Sequence, residues 1–159
     1  MLTRTTALVV SLMFTCAGAF AAENSFYGTW KSNLAKSHMT NKALIDTTLL
    51  VVIAPYGDNG WTRVQIDIRD PLKSGREEHY SAQFDGKDYP TNGGDPRAVA
   101  LTRVDDRTIE QVTKRNGKVS SRSRIQVSQD GKTLTSTGNG VNGRGEAYSD
   151  QVQVFDRVE

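Results

Sequence analysis

Phe26-Tyr27-Gly28-Thr29-Trp30-Lys31 sets one glycine between a pair of aromatics and a tryptophan, just ahead of about eight short segments separated by turns. A chain that must hide a large indole beside its first strand, and then continues strand after strand, reads as a small β-barrel. Thr62 to Arg69 alternates most cleanly, with Val64, Ile66 and Ile68 on one face and Arg63, Gln65, Asp67 and Arg69 on the other. A period of two marks a half-buried strand, so the apolar set is expected to face the core. Leu49 to Ile53 is an unbroken aliphatic run ended by Pro55 and the turn Asp58-Asn59-Gly60, as suits a strand covered on both sides. Tyr80, Ala82 and Phe84 share a face in a later segment, as do Val99 and Leu101 in the next.

Three turns have one composition: Asp85-Gly86-Lys87, Asn116-Gly117-Lys118 and Asp130-Gly131-Lys132. Asx-Gly pairs between alternating segments predict type I′ hairpins, whose two positive φ angles match the twist of antiparallel neighbours. These acidic turns lack the graded carboxylates and closing Glu of a calcium loop. The glycine-rich stretch from Gly138 to Gly145 reads as a long hairpin connection, and Ser32 to Leu44 has room for one or two short helical turns only. The expected fold is all-β, an antiparallel up-and-down meander barrel of about eight to ten strands.

Upstream, Arg4, the apolar run from Ala7 to Phe20 and the small-residue box Ala19-Phe20-Ala21 predict a signal peptide over 1–21, cleaved after Ala21. The run is short for a membrane span and no later one occurs, so 22–159 is expected to be a single periplasmic or secreted domain with no stable membrane span after processing. Cys16, the only cysteine, lies within that leader, so residues 22–159 hold no disulfide, thiolate nucleophile or cysteine metal ligand. Twenty Lys and Arg against 18 Asp and Glu leave the chain near neutrality, which argues against nucleic-acid binding.

Between Lys118 and Gln129, the face carrying Val119, Ile125 and Val127 also carries Ser121 and Ser123, opposite Arg122, Arg124 and Gln126. Small polar groups on an inner wall leave room for a ligand cavity with a few orienting contacts. Tyr80, Phe84, Ser121 and Ser123 are the candidate ligand-binding residues. Arg97, Arg103, Lys114, Arg115, Lys118, Arg122 and Arg124 read as a solvated face interspersed with acids, a single positive wall being the alternative.

His38 and His79 are the only histidines, and His79 stands between Glu78 and Tyr80 where strand alternation points neighbours apart, so no metal or cofactor is expected. No Gly-x-Ser-x-Gly elbow occurs, and the carboxylate pairs Glu77-Glu78 and Asp105-Asp106 are adjacent rather than facing. No catalytic residue is assigned and no enzyme activity is expected. Trp61 and Tyr89, beside turns, either close the barrel or form an aromatic rim for a protein partner.

Phe26-Tyr27-Gly28-Thr29-Trp30-Lys31 resembles the Gly-x-Trp opening of the calycins, the group that contains lipocalins and fatty-acid-binding proteins. The segments 28–37, 80–90 and 128–135, in that order, resemble small exported bacterial lipocalin-like proteins of unassigned function. The resemblance implies that Gly28, Trp30 and Arg157 close one end of the barrel, with Arg157 across the indole face. Phe155-Asp156-Arg157 departs from the Arg-x-Tyr with which fatty-acid-binding proteins hold a carboxylate, so fatty-acid binding is not implied. The function expected is noncatalytic binding of a small, partly apolar molecule inside the barrel. The alternative is an interaction or inhibitor module that engages a protein partner through its rim loops.

Overall fold

The structure is a computed structural model that describes residues 24–42, 44–45, 47–68, 78–92 and 96–158. The expected leader, Arg69 and Glu77 lie outside the described residues. Ten strands follow in order: β1 (Gly28–Ser32), β2 (Leu49–Pro55), β3 (Gly60–Asp67), β4 (Glu78–Gln83), β5 (Tyr89–Pro90), β6 (Arg97–Asp105), β7 (Thr108–Arg115), β8 (Lys118–Val127), β9 (Thr133–Val141) and β10 (Ala147–Val158). Each pairs antiparallel with its neighbours in the order β4-β3-β2-β1-β10-β9-β8-β7-β6-β5. The first and last strands meet through Trp30 opposite Arg157, and only the β4–β5 seam lacks a ladder. Backbone bonds from Asn92 N–H to His79 O (3.1 Å) and Gly86 N–H to Leu101 O (2.9 Å) draw that seam together. The barrel is nearly closed, which leaves few open edge groups.

Among the described residues the helical structure is one 3-10 turn, Leu34–Lys36. Asn33 caps it through its side-chain oxygen, and the Asn33 amide and Lys36 ammonium both hold Asp156 on β10 at 2.7 and 3.0 Å. That turn covers the outward side of β10, where Val154 is 8 % exposed. No helix of the described residues is long and apolar enough to cross a membrane.

Register decides what faces inward, because residues directly opposite across a ladder share a face. Ile53 stands opposite Arg63, Arg63 opposite Tyr80, and Trp61 opposite Ala82. Arg63, Gln65 and Asp67 therefore point into the barrel, while Val64 and Ile66 point outward and Ile68 is 38 % exposed. This reverses the faces expected for β3. Trp61, the second residue of the strand, is fully buried, and that anchor sets the parity for the residues after it.

The turns also differ from expectation in part. Only Asn116-Gly117 has both residues at positive φ, 50° and 74°, as a type I′ hairpin requires. At Asp130-Gly131 the aspartate remains at negative φ, and its carboxylate accepts the Lys132 N–H at 3.0 Å.

Candidate functional site

The inside of the barrel divides into two halves of opposite chemistry. At the end where β10 finishes and β1 begins, Phe26, Trp30, Trp61, Leu101 and Ile109 each have zero exposure, and Phe155 has 1 %. Side chains with no exposure border no space that admits a water molecule, so this end is packed solid. Phe26 and Phe84 both meet Trp61 edge to face at centroid distances of 5.5 and 5.4 Å. The Trp30 indole N–H donates to Phe26 O at 2.9 Å. Over the same indole lies the Arg157 guanidinium, 4.1 Å from the ring centroid.

Arg157 also donates to three backbone carbonyls, Gly131 O at 2.6 Å and Tyr27 O and Ser25 O at 2.7 Å. These bonds bind the start of the barrel to the β8–β9 turn and discharge a planar donor fork without a carboxylate. Gly28 makes room for it. Its φ is +132°, and an added Cβ would stand 2.5 Å from Arg157 Nη1.

Towards the other end the inward residues are polar. Arg63 donates to Gln65 Oε1 at 2.7 Å, Tyr80 Oη to Gln111 Oε1 at 2.8 Å, and Gln111 Nε2 to Thr113 Oγ1 at 3.3 Å. This belt joins β3 and β4 to β7 across the lumen. Burial pushes the Tyr80 phenol up to about 12, against the opposing pull of the Arg63 guanidinium, so the ring carries its proton throughout the physiological range. Ser123 and Ser121 continue the belt on β8, opposite Gln111 and Thr113 in the ladder. Both keep partial exposure, as do Arg63, Gln65, Gln111 and Thr113, so water-accessible space lies against them.

Gly138 and Gly140 on β9 face Ser123 and Ser121, and there the sheet folds too sharply for a side chain. A Cβ at Gly138 would come within 2.5 Å of Arg122 O, and one at Gly140 would strike Ser120 O. An open depression of about 550 Å³ lies along β7–β10, lined by the outward-facing Glu110, Val112, Arg122, Arg124 and Thr137 as well as by Gln111, Ser123, Gly138 and Gln151, and neither Arg63 nor Tyr80 borders it. Above it the segment after the 3-10 turn is tied down: Asn41 N–H donates to Gln151 Oε1 at 3.0 Å and Thr40 Oγ1 to Ser149 O at 2.6 Å.

Of the four candidate ligand residues, Tyr80, Ser121 and Ser123 belong to the polar belt. Phe84 does not: at 7 % exposure it packs on Trp61, and Arg103 sits 4.6 Å over its ring. Phe84 is floor rather than wall. Trp61 is buried in the same floor, which removes it from any aromatic rim, and Tyr89 is half-buried against the core. The basic residues do not form one wall. Arg97, Arg103 and Arg115 share the inward face, whereas Lys114 pairs with Asp88 and Arg124 with Glu110 on the outside. Val119 leaves the serine face because the β7–β8 register shifts between Thr113 and Lys114, and it is 48 % exposed. Sequence reasoning missed Arg63, Gln65 and Gln111. Their only signal was alternation, which assigns residues to two faces without saying which is inside. No group of three metal-ligating side chains gathers among the described residues.

No family model matches the chain, and no curated protein matches it. Solved structures do. Fatty-acid-binding protein 1 of Echinococcus granulosus superposes with a TM-score of 0.61 at 14 % identity, over 86 % of this chain and 100 % of that one. The Schistosoma mansoni fatty acid binding protein, solved in complex with arachidonic acid, gives 0.59 at 15 % identity, over 85 % and 97 %. The wild-type fluorescent protein UnaG gives 0.56 at 17 % identity, over 84 % and 97 %. The architecture is thus the fatty-acid-binding-protein fold. At these identities the likeness concerns fold alone.

Proposed function

We propose that this chain is a noncatalytic binding protein that holds a small, partly apolar molecule in the open half of its lumen. The observation that supports the reading is the division of the interior: a solid apolar floor beneath a polar belt in which Gln111, Thr113, Ser121 and Ser123 keep partial exposure while Tyr80 is buried. A folded, preformed recess lined by a few fixed hydrogen-bonding groups is the usual form of a small-molecule site. Polar atoms of the ligand meet Tyr80, Gln111, Ser121 and Ser123, and its apolar part rests against Tyr89. The neighbours in fold include proteins named for binding fatty acids, which supports carriage over catalysis. Export to the periplasm or medium after cleavage at Ala21 completes the proposal.

Native mass spectrometry of the protein purified from its own cells tests it. A stoichiometric small-molecule adduct is expected, and it disappears in Ser123→Trp, which fills the recess while leaving the floor intact. The same spectrum reads the mass of the mature chain, which begins at Ala22 if cleavage is as proposed. Purification free of any adduct, with no small molecule retained from a cell extract, overturns the reading.

A further inference from the structure

We infer that the outer wall formed by β8, β9 and β10 is the contact face of a symmetric dimer, in which Arg122 of one copy meets Asp150 of the second about a two-fold axis running along β9. The face lies outside the lumen and is independent of what the lumen holds.

Residues directly opposite across a ladder share a face, so the outward side chains of these strands stand in rows. One row runs from Arg122 on β8 to Asn139 on β9, and Asp150 continues it at the irregularity where β10 shifts register between Tyr148 and Gln151. Asp150 takes a φ of +54°, in the left-handed region, and lines the same depression as Arg122 and Asn139. A bulge of this kind re-aims a side chain, and here it brings a carboxylate to the row. Nearby charges are settled within the chain, Arg124 by Glu110 at 3.1 Å and Lys114 by Asp88 at 2.8 Å. Those of the row are not. Arg122, Asn139 and Asp150 are exposed, and among the described residues their side chains make no hydrogen bond or ion pair. Further along the same wall, Val119 and Val141 keep 48 and 45 % of their surface, and Ala147 stands opposite Val141.

A row that reads cation, amide, carboxylate becomes its own complement when reversed, and a two-fold axis along the middle strand performs that reversal. Arg122 then faces Asp150 of the second copy, twice over. The two Asn139 amides meet on the axis, where each can donate to the other. Val141 lies on Val141, Val119 comes to Ala147, and Arg124, already paired with Glu110, covers Val152. An axis across the strands would instead set Arg122 against Arg124, so repulsion selects the first arrangement. The depression along the row stays between the copies as hydrated space, as polar interfaces commonly hold. Barrel curvature limits contact to the strands beside the axis, about 10 Å from β8 to β10, so the dimer is expected to be weak, with a dissociation constant of roughly 10–100 μM.

Sedimentation velocity of the purified protein, over a series from micromolar to millimolar concentration, is expected to show reversible dimerisation. Arg122→Asp and Asp150→Arg each place like charges across the axis and weaken association by about tenfold or more. Mixed one to one, the two variants associate again, because each supplies the charge that the other lacks at both contacts. The double variant carrying both changes recovers the wild-type constant within about threefold. Lys31→Gln, on the outer face of β1, leaves it unchanged. Circular dichroism checks each fold. Should Asp150→Arg fail to fold, Asp150→Asn, which tolerates the left-handed backbone, takes its place and weakens the dimer about threefold or more. Wild-type protein that stays monomeric at millimolar concentration overturns the inference, as does a dimer indifferent to these charges. Reversals that weaken association with no recovery in the mixture refute the two-fold pairing. A different protein held on this face in place of a second copy, and lost in Arg122→Asp, refutes it too.

Discussion

The two ends of this barrel spend their arginines differently. At the closed end Arg157 is consumed by structure, stacked on Trp30 and bound to three carbonyls. In the open half Arg63 is held by one glutamine and one tyrosine and keeps a share of its surface. Both are half-buried guanidiniums on the inward face, and what separates them is that Arg157 is fixed by backbone carbonyls and a ring, whereas Arg63 meets side chains of the belt. The contrast predicts that substitutions at the closed end act on stability, and that those in the belt act on binding.

Trp30→Ala is the most damaging change expected. It deletes an indole with zero exposure and leaves Arg157 without the ring beneath it, a loss of about 3–5 kcal/mol. Urea denaturation followed by far-ultraviolet circular dichroism measures it. A loss under about 1 kcal/mol would mean that the floor is not packed as described.

Arg157→Ala comes next, at about 2–4 kcal/mol, since three carbonyls lose a charged donor and Trp30 loses its cation. Arg157→Lys recovers only part, because an ammonium cannot reach three acceptors in one plane. If the two variants were equally stable, charge rather than geometry would be the source of the stabilisation, and the contrast with Arg63 would weaken.

Tyr80 links the two regions, being buried like the floor and hydrogen-bonded like the belt. Its phenol is pushed from 10.0 up to about 12 by burial, so the folded state holds the proton more tightly than the unfolded chain does. The stabilisation is fully present below pH 10 and is lost as pH rises towards 12, amounting to about 2–3 kcal/mol over that interval. Tyr80→Phe is expected to be about 1 kcal/mol less stable at pH 7, where the bond to Gln111 is missing, and to lack this alkaline decline. The difference between the two denaturation curves, taken at successive pH values, isolates Tyr80 from other alkaline titrations. Parallel curves from pH 9 to 12 would show that Tyr80 is not buried.

The sequence was legible wherever chemistry is local. Alternation located the strands and Asn116-Gly117 located a hairpin, because each depends on residues close by, whereas the closed end at Gly28 and Trp30 was implied only by the resemblance to calycins. The face of β3 was not legible. By default the apolar side of an alternating strand is the inner one, but on β3 Val64 and Ile66 face outward while Arg63 and Gln65 face inward. Parity there is fixed by Trp61 and by pairing with β2 and β4, both of them long-range facts. The same limit applies to the basic residues, which periodicity could sort into two sets without saying which set lines the lumen.

The smallest effect on stability is the most informative about function. Ser123→Ala removes a hydroxyl from an inward position that keeps partial exposure, and none of the described side chains engages that hydroxyl. Thermal denaturation is expected to move little, within about 0.5 kcal/mol, since no intramolecular bond is broken and no cavity is opened. A bound ligand sees the change differently. A polar group that had met the hydroxyl loses its partner and faces an alkyl surface instead, which weakens binding by roughly five- to tenfold while the fold stays unchanged. Titration calorimetry with whatever compound mass spectrometry identifies reads this directly. The opposite pattern, stability lost and affinity kept, would place Ser123 among the structural residues with Trp30 and Arg157 and leave the polar belt without a binding role.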